Sequence, residues 1–435
     1  MVRKELFKSL IALSQAELPF ERIEREIELP VQPELIITVP GVRRAGKSSL
    51  LMLAVNKLLT SGIKRERILW VNFDDERLDG MSTEELDEVL QAYREMYPEI
   101  ELKDVYMFFD EIQNIDGWDL FVLRVFKSYC QHIYVTGSNA KLLSSEISTA
   151  LRGWTLDYEM LPLSYQEFCR FKGIDVLSYL ESDKAKRYAA MEEYIHGGGF
   201  PKVVLASEKS MKLRLLQGYF NTMLFRDLAE RHEIKNIEAL RYFLKRVMHN
   251  LTKTTSINAI VNDMRSNGVS VSKDDLYNWA DWAVEAYLFV RYPKYSRSLV
   301  KENQSLRKYY VIDTGMRQAV LMPQSEDKGK LLENIVALEL FRRRGADRKM
   351  FYWQDGRECD FVVQREEHVE ELIQVTWDIE DEDTRKREID GIKEAAKGTK
   401  CDKLTIVTRE QKETIEEDGF NIEVVGIEEW LTREE

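Results

Sequence analysis

The chain has 435 residues, too many for one ordinary hydrophobic core, and its length predicts roughly two to four domains. Hydrophobic residues make up 44% of it and charged residues 32%, so packed cores and a highly charged surface are both expected. The balance of 63 Lys plus Arg against 76 Asp plus Glu gives a net charge of −13, which excludes indiscriminate coating of nucleic acid but leaves room for a local basic patch.

The cysteines and the N-terminal segment both indicate a cytosolic protein. The four cysteines are scattered and contain no CxxC pair, which disfavours a disulfide framework or a zinc site and favours a reducing compartment. The start of the chain mixes charges into its apolar residues, as an amphipathic helix does and a signal peptide does not. No stretch approaches the roughly 20 apolar residues that span a bilayer. We therefore expect a soluble, cytoplasmic protein with no membrane partner.

Short apolar runs alternate with amphipathic stretches from residue 34 onwards. The runs are ELIITV at 34–39, ILWVNF at 68–73, VYMFFD at 105–110 and HIYVTG at 132–137, with a fifth candidate in LDYEML at 156–161. Continuous apolar strands separated by helices predict a parallel sheet covered by helices on both faces. The predicted fold class is α/β, and this first domain spans residues 1–161.

The remainder of the chain divides into two further predicted domains. Residues 162–306 are mainly helical, and two short helices around the turn SNGVSVS, followed by a third helix, predict a helix-turn-helix or winged-helix unit. The strand pattern returns at about 307 with RKYYVID and continues with KMFYWQ, CDFVVQ, ELIQVTW and KLTIVTR. Residues 307–435 are therefore expected to form a second α/β domain.

The segment GVRRAGKS, from Gly41 to Ser48, matches the pattern G-x-x-x-x-G-K-[ST] between a predicted strand and a predicted helix. Gly41 and Gly46 let the backbone aim N–H groups at phosphate oxygens, and the helix adds its N-terminal donors. Lys47 is expected to reach the β- and γ-phosphates, and the Ser48 hydroxyl to bind Mg²⁺. The predicted nucleotide-binding residues are Gly41, Arg43, Arg44, Ala45, Gly46, Lys47, Ser48 and Ser49. Of these, Arg43 and Arg44 are either phosphate neighbours or simply solvated.

An acidic pair, Asp110 and Glu111, ends the apolar run VYMFFD. Asp110 has the position of the acid that holds Mg²⁺, and Glu111 that of a base that orients and deprotonates water. An additional strand at 68–73 separates this pair from the phosphate loop, as in the ATPase branch of P-loop proteins, and no N-K-x-D guanine-reading motif is found. These features favour ATP over GTP.

Further polar residues follow at the same predicted sheet edge. The run HIYVTG leads to Ser138 and Asn139, which can contact the γ-phosphate or the attacking water, although ordinary turn chemistry explains them nearly as well. Arg152 is a candidate for contact with the γ-phosphate, in its own site or in a neighbour's, and is equally compatible with a surface arginine.

Six segments in order, GVRRAGKSSLL, FFDEIQNIDGW, VTGSNAKLL, LRGW, LPLSYQEF and GGGFP, resemble ATPases of the AAA+ superfamily that are predicted in archaea and bacteria. The resemblance spans nearly the whole chain. It implies an ATPase core, a helical and winged-helix region and a C-terminal domain of the restriction-endonuclease fold. It also implies a Walker A motif at 41–48, a Walker B motif at Asp110 and Glu111, and a sensor-like Ser138 or Asn139. Many relatives carry LxGR, whereas this chain has Trp154 at the final position, which leaves Arg152 as the candidate arginine finger.

The C-terminal domain resembles the PD-(D/E)xK nucleases in its acidic residues. These residues are Glu333, Glu358 and Asp360, followed by Gln374 and Thr376. Gln374 stands where a second strand acid is usual and Thr376 where the lysine belongs, which weakens a metal site and removes the main cationic partner of the nucleophile. An inactive, structural or binding version is therefore favoured over a working nuclease.

The sequence as a whole predicts a Mg²⁺-dependent ATPase whose nucleotide cycle moves the helical and C-terminal domains. Its predicted catalytic residues are Lys47, Glu111, Asn139 and Arg152, and its predicted metal ligands are Ser48 and Asp110. Two alternatives remain open: a slow, nucleotide-loaded switch that binds a partner, and a DNA-processing effector. The partner, DNA or protein, is not identified by the sequence, and both a monomer and an oligomeric ring are compatible with it.

Overall fold

The computed structural model describes residues 2–137, 151, 153–178, 180–321 and 328–433. The chain divides into two compact units, Met1–Leu161 and Pro162–Glu435. Within the described part of the chain, every helix is too short or too polar to cross a membrane.

The first unit is built on a parallel five-stranded sheet of order β2-β3-β4-β1-β5. Its strands are β1 (Ile36–Pro40), β2 (Ile68–Asn72), β3 (Tyr106–Asp110), β4 (Ile133–Gly137) and β5 (Thr155–Asp157). Its described helices are α1 (Val2–Ala16), α2 (Lys47–Thr60), α3 (Asp87–Met96) and α4 (Trp118–Ser128). Each predicted apolar run overlaps one of the strands, and the prediction of a parallel-sheet α/β core is confirmed.

Both faces of β1 to β4 are buried, which is why these strands are largely apolar, whereas the short edge strand β5 is partly exposed. One face packs residues such as Val71, Phe109 and Val135 into a single core with residues of α1, α3 and α4. On the other face, the rings of Trp70, Phe108 and Tyr134 stack across neighbouring strands at centroid distances of 5.8 and 4.5 Å. Because all five strands are parallel, their carboxyl ends meet at one edge, where ligands of α/β sheets bind.

The second unit contains helices and two separate sheets. Its described helices are α5 (Tyr165–Phe171), α6 (Glu181–Gly197), α7 (Pro201–Leu205), α8 (Lys209–Thr222), α9 (Ile237–His249), α10 (Ile257–Ser266), α11 (Lys273–Glu285), α12 (Leu299–Gln304), α13 (Thr314–Leu321), α14 (Lys328–Arg343), α15 (Glu382–Thr399) and α16 (Ile427–Thr432). A π-helical segment, Met223–Glu230, follows α8 directly.

The smaller sheet has the order β6-β8-β7 and is antiparallel. Its strands are β6 (Thr254–Thr255), β7 (Phe289–Pro293) and β8 (Arg307–Val311). The predicted strand RKYYVID therefore pairs with strands that precede it in the chain, and not with the strands that follow it. The sequence pattern indicates that residues 307–311 form a strand, but it does not indicate which strands they pair with.

The larger sheet has six strands in the order β13-β14-β12-β11-β10-β9. These are β9 (Arg348–Asp355), β10 (Arg357–Arg365), β11 (His368–Val375), β12 (Leu404–Thr408), β13 (Glu413–Glu417) and β14 (Phe420–Gly426). Helix α15 lies close against β10. The helix residue Gly391 permits this approach, since a Cβ at that position would stand only 2.4 Å from the carbonyl oxygen of Glu358. The edge strand β13 exposes four of its five residues. A separate C-terminal sheet is thus present, as the sequence predicted.

Candidate nucleotide site and a lysine-filled acidic cluster

The loop between β1 and α2 is held in a shape that only glycine permits at its start. Gly41 has φ +147°, and a Cβ at this position would lie 2.1 Å from the carbonyl oxygen of Met160. The same carbonyl accepts a hydrogen bond of 3.0 Å from the backbone N–H of Val42. Gly46, with φ +104°, then turns the chain into α2. The loop is therefore hydrogen-bonded to Met160, in the segment that follows β5. Its curvature depends on the absence of side chains at Gly41 and Gly46.

Lys47 is the first residue of α2 and is 4% exposed. Its ammonium group donates hydrogen bonds to the carbonyl oxygens of Gly41 at 3.2 Å and Val42 at 3.1 Å, which places the charge within the curve of the loop. The N-cap residue of α2 is Gly46, which has no side chain that could accept a hydrogen bond from the first-turn N–H groups. The first-turn N–H groups of α2 and the Lys47 ammonium thus form a positively polarised concavity of the kind that binds phosphate.

Asp110, at the end of β3, is joined to the phosphate loop by a direct hydrogen bond. The hydroxyl of Ser48 donates to Oδ1 of Asp110 at 3.0 Å, and the hydroxyl of Thr136 at the end of β4 donates to the same oxygen. Burial raises the pKa of Asp110 to about 6, against the hydrogen bonds from Thr136 and Ser48 and the charge of Lys47, which lower it. Ser48 and Asp110 therefore present two oxygen atoms of the type that Mg²⁺ prefers.

Glu111 follows β3 in a left-handed backbone conformation, with φ +53°. Its N–H donates to the Thr136 hydroxyl at 2.9 Å, and its carboxylate accepts a hydrogen bond of 2.6 Å from Nε2 of Gln113. A positive φ is uncommon for a residue other than glycine and is found preferentially at functional sites. Both the backbone and the side chain of Glu111 are therefore held in a defined position beside Asp110.

Thr136, Gln113 and Arg25 are site residues that the sequence reasoning missed. Thr136 holds both members of the acidic pair, and its position in the run HIYVTG, at the end of a strand next to β3, was the signal for it. Arg25 is buried and donates to the carbonyl oxygens of Ala45 at 2.8 Å and Leu161 at 3.0 Å, so it supports the phosphate loop from outside. No pattern in the sequence indicates Arg25, because its partners are 20 and 136 residues away.

The structure brings the predicted residues Lys47, Ser48, Asp110 and Glu111 together at the carboxyl edge of the first sheet. The other loop residues surround them: Ala45 is buried, Gly46 and Ser49 are partly buried, Arg43 is partly buried, and Arg44 is exposed with φ +70°. Ser138, Asn139 and Arg152 lie outside the described residues.

A second cluster of charged residues lies in the second unit and is centred on Lys308 of β8. Its ammonium group contacts the carboxylates of Glu333 at 3.1 Å, Glu358 at 2.5 Å and Asp360 at 3.1 Å, and its side chain is 1% exposed. The three carboxylates are the acidic residues of the nuclease-like pattern. Gln374 binds into the same cluster, accepting from the N–H of Asp360 at 3.2 Å and donating to Glu388.

Burial and the neighbouring charges shift the pKa values of Glu333 and Lys308 in this cluster. Burial, together with the neighbouring charge of Asp360, raises the pKa of Glu333 to about 8, against the effect of Lys308, which lowers it. Burial lowers the pKa of Lys308, but its carboxylate partners outweigh this effect, so that it is well above its usual value. The carboxylates line a cavity of about 1020 Å³ whose other lining residues include Lys330, Arg357 and Arg387. Among the described residues, no group of three or more His, Cys, Asp or Glu side chains is arranged to hold a metal ion.

Comparison with protein families assigns three consecutive regions. Residues 33–169 match an AAA domain, which covers the phosphate loop, Asp110 and Glu111. Residues 188–327 match the domain of unknown function DUF8612, and residues 328–430 match the domain of unknown function DUF4143. The presence of an AAA domain of the P-loop type is thus established for the first part of the chain.

The similar solved structures share little sequence with the chain. They include the Aeropyrum pernix ORC2 protein in ADPNP-ADP complexes, at 11% identity over 78% of this chain and 95% of that chain, with a TM-score of 0.28. Another is AMPPCP-bound DnaA from Aquifex aeolicus, at 13% identity over 64% of this chain and 86% of that chain, with a TM-score of 0.25. Superpositions this loose carry no argument about function.

Two relatives match the chain along nearly its full length. An uncharacterized protein of Methanocaldococcus jannaschii is 34% identical over 99% of this chain and 96% of its own length. An uncharacterized protein of Haemophilus influenzae is 30% identical over 96% of this chain and 100% of its own length. The chain, an AAA domain followed by two domains of unknown function, belongs to the same family as these two proteins.

Proposed function

We propose that the first unit binds ATP with Mg²⁺ and hydrolyses it. The observation that carries this proposal is the hydrogen bond of 3.0 Å between Ser48 of the phosphate loop and Asp110 of β3. It joins the two halves of a P-loop site, which lie 62 residues apart in the chain, at one point of the sheet edge. A chance glycine-rich turn does not require a buried acid at this place.

The residues present fit Mg²⁺ and a triphosphate. Ser48 and Asp110 offer hard oxygen donors, and the positive φ angles of Gly41 and Gly46 give the loop the curvature that turns backbone N–H groups towards a phosphate. When bound, Mg²⁺ neutralises the negative charge that develops on the phosphate oxygens. In this proposal Lys47 releases the loop carbonyls and holds a phosphate oxygen, since its three N–H donors serve either partner.

Glu111 is proposed to orient the attacking water and to accept its proton while the water oxygen bonds to the γ-phosphorus and the bond to ADP breaks. Gln113 fixes one oxygen of its carboxylate through a hydrogen bond of 2.6 Å. The carboxylate is thereby held in the orientation from which it would serve the water. Asn139 and Arg152 remain proposed contacts of the γ-phosphate on the grounds of their positions in the sequence.

Three variants test the roles separately. Lys47→Ala should abolish ATP binding, measured by titration calorimetry, because the charge within the loop is lost. Glu111→Gln should bind ATP as the wild type does and lose phosphate release. As a matched control, Glu101→Gln removes the same charge from an exposed residue of the same unit and should leave both measurements unchanged. Equal hydrolysis by the wild type and Glu111→Gln would refute the assigned base.

A slow nucleotide-loaded switch is the alternative from another class. Steady-state phosphate release separates the two functions, because a switch stalls after about one turnover per chain, whereas an ATPase continues as long as ATP is present. We propose the ATPase, because Gln113 and Thr136 hold Glu111 in a fixed position, an arrangement that a binding site alone does not need. In the same proposal, turnover moves the helical region 162–306, with its winged-helix-like unit, and the region 307–435.

For the C-terminal region we propose a restriction-endonuclease-like domain that does not cleave nucleic acid. The Lys308 ammonium occupies the centre of its carboxylates, which argues against a preformed metal site there. The expected result is no cleavage of DNA or RNA by the purified chain with Mg²⁺ or Mn²⁺. Metal-dependent cleavage that disappears in the Asp360→Asn variant would overturn this part of the proposal.

A further inference from the structure

A groove separate from both sites lies in the second unit beside the tip of the β9–β10 hairpin. It has a volume of about 690 Å³, within the range of ordinary ligand sites. One wall is the segment 294–306, which includes α12, and the other is the end of β9, residues 352–355, with Gly398 of α15 between them. Nothing in the nucleotide site or the Lys308 cluster uses this groove.

The groove is lined by positive charge in a chain whose net charge is −13. Lys294, Arg297 and Lys301 line it, and Asp355 is the one carboxylate among its lining residues. Within the described residues, none of these three cations forms an ion pair, and the guanidinium of Arg297 donates only a long hydrogen bond, 3.4 Å, to the carbonyl oxygen of Gly398. Three cations without carboxylate partners therefore stand along one wall, which is the electrostatic pattern of a phosphate-binding track.

Aromatic rings lie on the same groove. Tyr295 and Trp353 have centroids 6.1 Å apart and planes inclined by 34°, so that the two rings form a nearly continuous surface. Gly398 makes room for the indole, because a Cβ there would lie 2.3 Å from Cη2 of Trp353. The exposed amides of Gln304 and Gln354 lie among the lining residues as well. Gly398 is the second-last residue of α15, and the lack of a side chain there admits the Trp353 ring.

We propose that this groove binds a short stretch of single-stranded nucleic acid. Lys294, Arg297 and Lys301 contact successive phosphates, and Tyr295 and Trp353 stack on an unpaired base. Cationic tracks combined with aromatic platforms bind single strands with little sequence preference, because every base has a π-face. The amides of Gln304 and Gln354 add donors and acceptors for base edges.

A peptide is the competing occupant, and the charges argue against it. A peptide would have to be strongly acidic to pair with the three cations of the groove. Acidic side chains do not stack on the rings of Tyr295 and Trp353. A single strand carries one negative charge per nucleotide and an aromatic base beside it, which matches the two features of the groove together.

The test is the fluorescence anisotropy of labelled oligothymidine titrated with the full chain, without ATP, between about 50 and 200 mM salt. If three phosphates are contacted, log K should fall against log salt with a slope of about −2. The Arg297→Glu, Lys301→Glu double variant changes two exposed side chains without ion pairs, so it should fold normally and lose at least tenfold in affinity. Failure of oligothymidine to bind the wild type at the lowest salt would overturn the proposal.

Two controls make the result specific. Lys202→Glu carries the same kind of charge change on an exposed residue of α7 in the same unit and should bind as the wild type does. Lys47→Ala removes the lysine of the nucleotide site and should also leave oligothymidine binding unchanged, so that failure of the ATPase proposal and of this one are distinguishable. Equal loss of affinity in the groove variant and the Lys202→Glu control would refute the assignment to the groove.

The stacking component is tested at Trp353. Trp353→Ala should weaken binding by at least about fivefold, whereas Trp353→Phe should retain most of the affinity. Because the indole also packs against the core of the large sheet, circular dichroism must show both variants folded, and the Arg297→Glu, Lys301→Glu variant decides the case if they are not. A parallel titration with oligouridine distinguishes RNA from DNA. The proposal is supported whichever of the two single strands binds more tightly. Equally tight binding of a duplex of the same length contradicts it.

Discussion

Lys308 offers a direct test of how the second unit tolerates buried charge. Replacing it with methionine keeps the volume and removes the ammonium group from three carboxylates, of which Asp360 is 6% and Glu333 8% exposed. Breaking a buried ion pair from one side costs about 3–5 kcal/mol, since an uncompensated charge stays behind. We expect Lys308→Met to destabilise the second unit by an amount in this range.

The pH dependence follows from the same contacts. In the wild type, burial raises the pKa of Glu333 from 4.5 to about 8, so its contribution to stability is present below its unfolded pKa and is lost as the pH rises through about 8. Without Lys308, whose charge lowers the pKa of Glu333, this carboxyl group should hold its proton more tightly still in the folded state. The penalty of Lys308→Met should therefore be smaller at acidic than at alkaline pH.

The measurement is urea unfolding of the full chain at several pH values, combined with hydrogen exchange of peptides from β8 and β10. The exchange data assign the loss to the second unit, which matters because the chain has two units that need not unfold together. A triple variant, Lys308→Met with Glu333→Gln and Asp360→Asn, also removes the two buried carboxylates and leaves only the more exposed Glu358, so it should recover most of the loss. If Lys308→Met changes the free energy of unfolding by less than about 0.5 kcal/mol, the reasoning fails.

Three further changes probe individual contacts in the two units. Gly41→Ala puts a methyl group 2.1 Å from the Met160 carbonyl oxygen and should lower both the melting temperature and ATP affinity; unchanged calorimetric binding would contradict the role of this glycine. Thr136→Val removes the hydroxyl that Asp110 uses and should cost about 1–3 kcal/mol and reduce phosphate release, whereas Thr136→Ser should retain both. Asp313→Asn replaces a buried carboxylate that accepts backbone N–H groups with both oxygens, so thermal unfolding should show a loss of about 1–3 kcal/mol, and an unchanged melting temperature would argue against this.

The parts of the fold that are encoded locally were predictable from the sequence. The four apolar runs and the fifth candidate each overlap a strand of the first sheet. The signal is clear for β1 to β4, because a strand buried on both faces needs a largely apolar segment. The phosphate loop was identifiable because Gly41, Gly46, Lys47 and Ser48 are close in the chain and each is required by backbone geometry or charge.

The contacts between distant residues were not predictable in the same way. Thr136 lies 26 residues from Asp110, and Arg25 lies 136 residues from Leu161, so no local pattern relates them. In the nuclease pattern a lysine stands two residues after the second strand acid, and this chain has Thr376 at that position. The acidic cluster instead receives Lys308 from a strand of the smaller sheet, and only the tertiary structure brings that strand beside β10. The winged-helix unit and the domain boundaries remain predictions.

The charged rim of β13 has a consequence for how copies of this protein meet. Its exposed residues are Glu413, Thr414, Glu416 and Glu417, at the border of the larger sheet. A second copy that added its own β13 there would have to crowd and desolvate these charged side chains, of which Glu413 and Glu417 are paired with Arg385 and Lys393, and this cost discourages open-ended stacking of sheets into fibres. If the protein assembles at all, we expect a closed assembly that leaves this rim facing water.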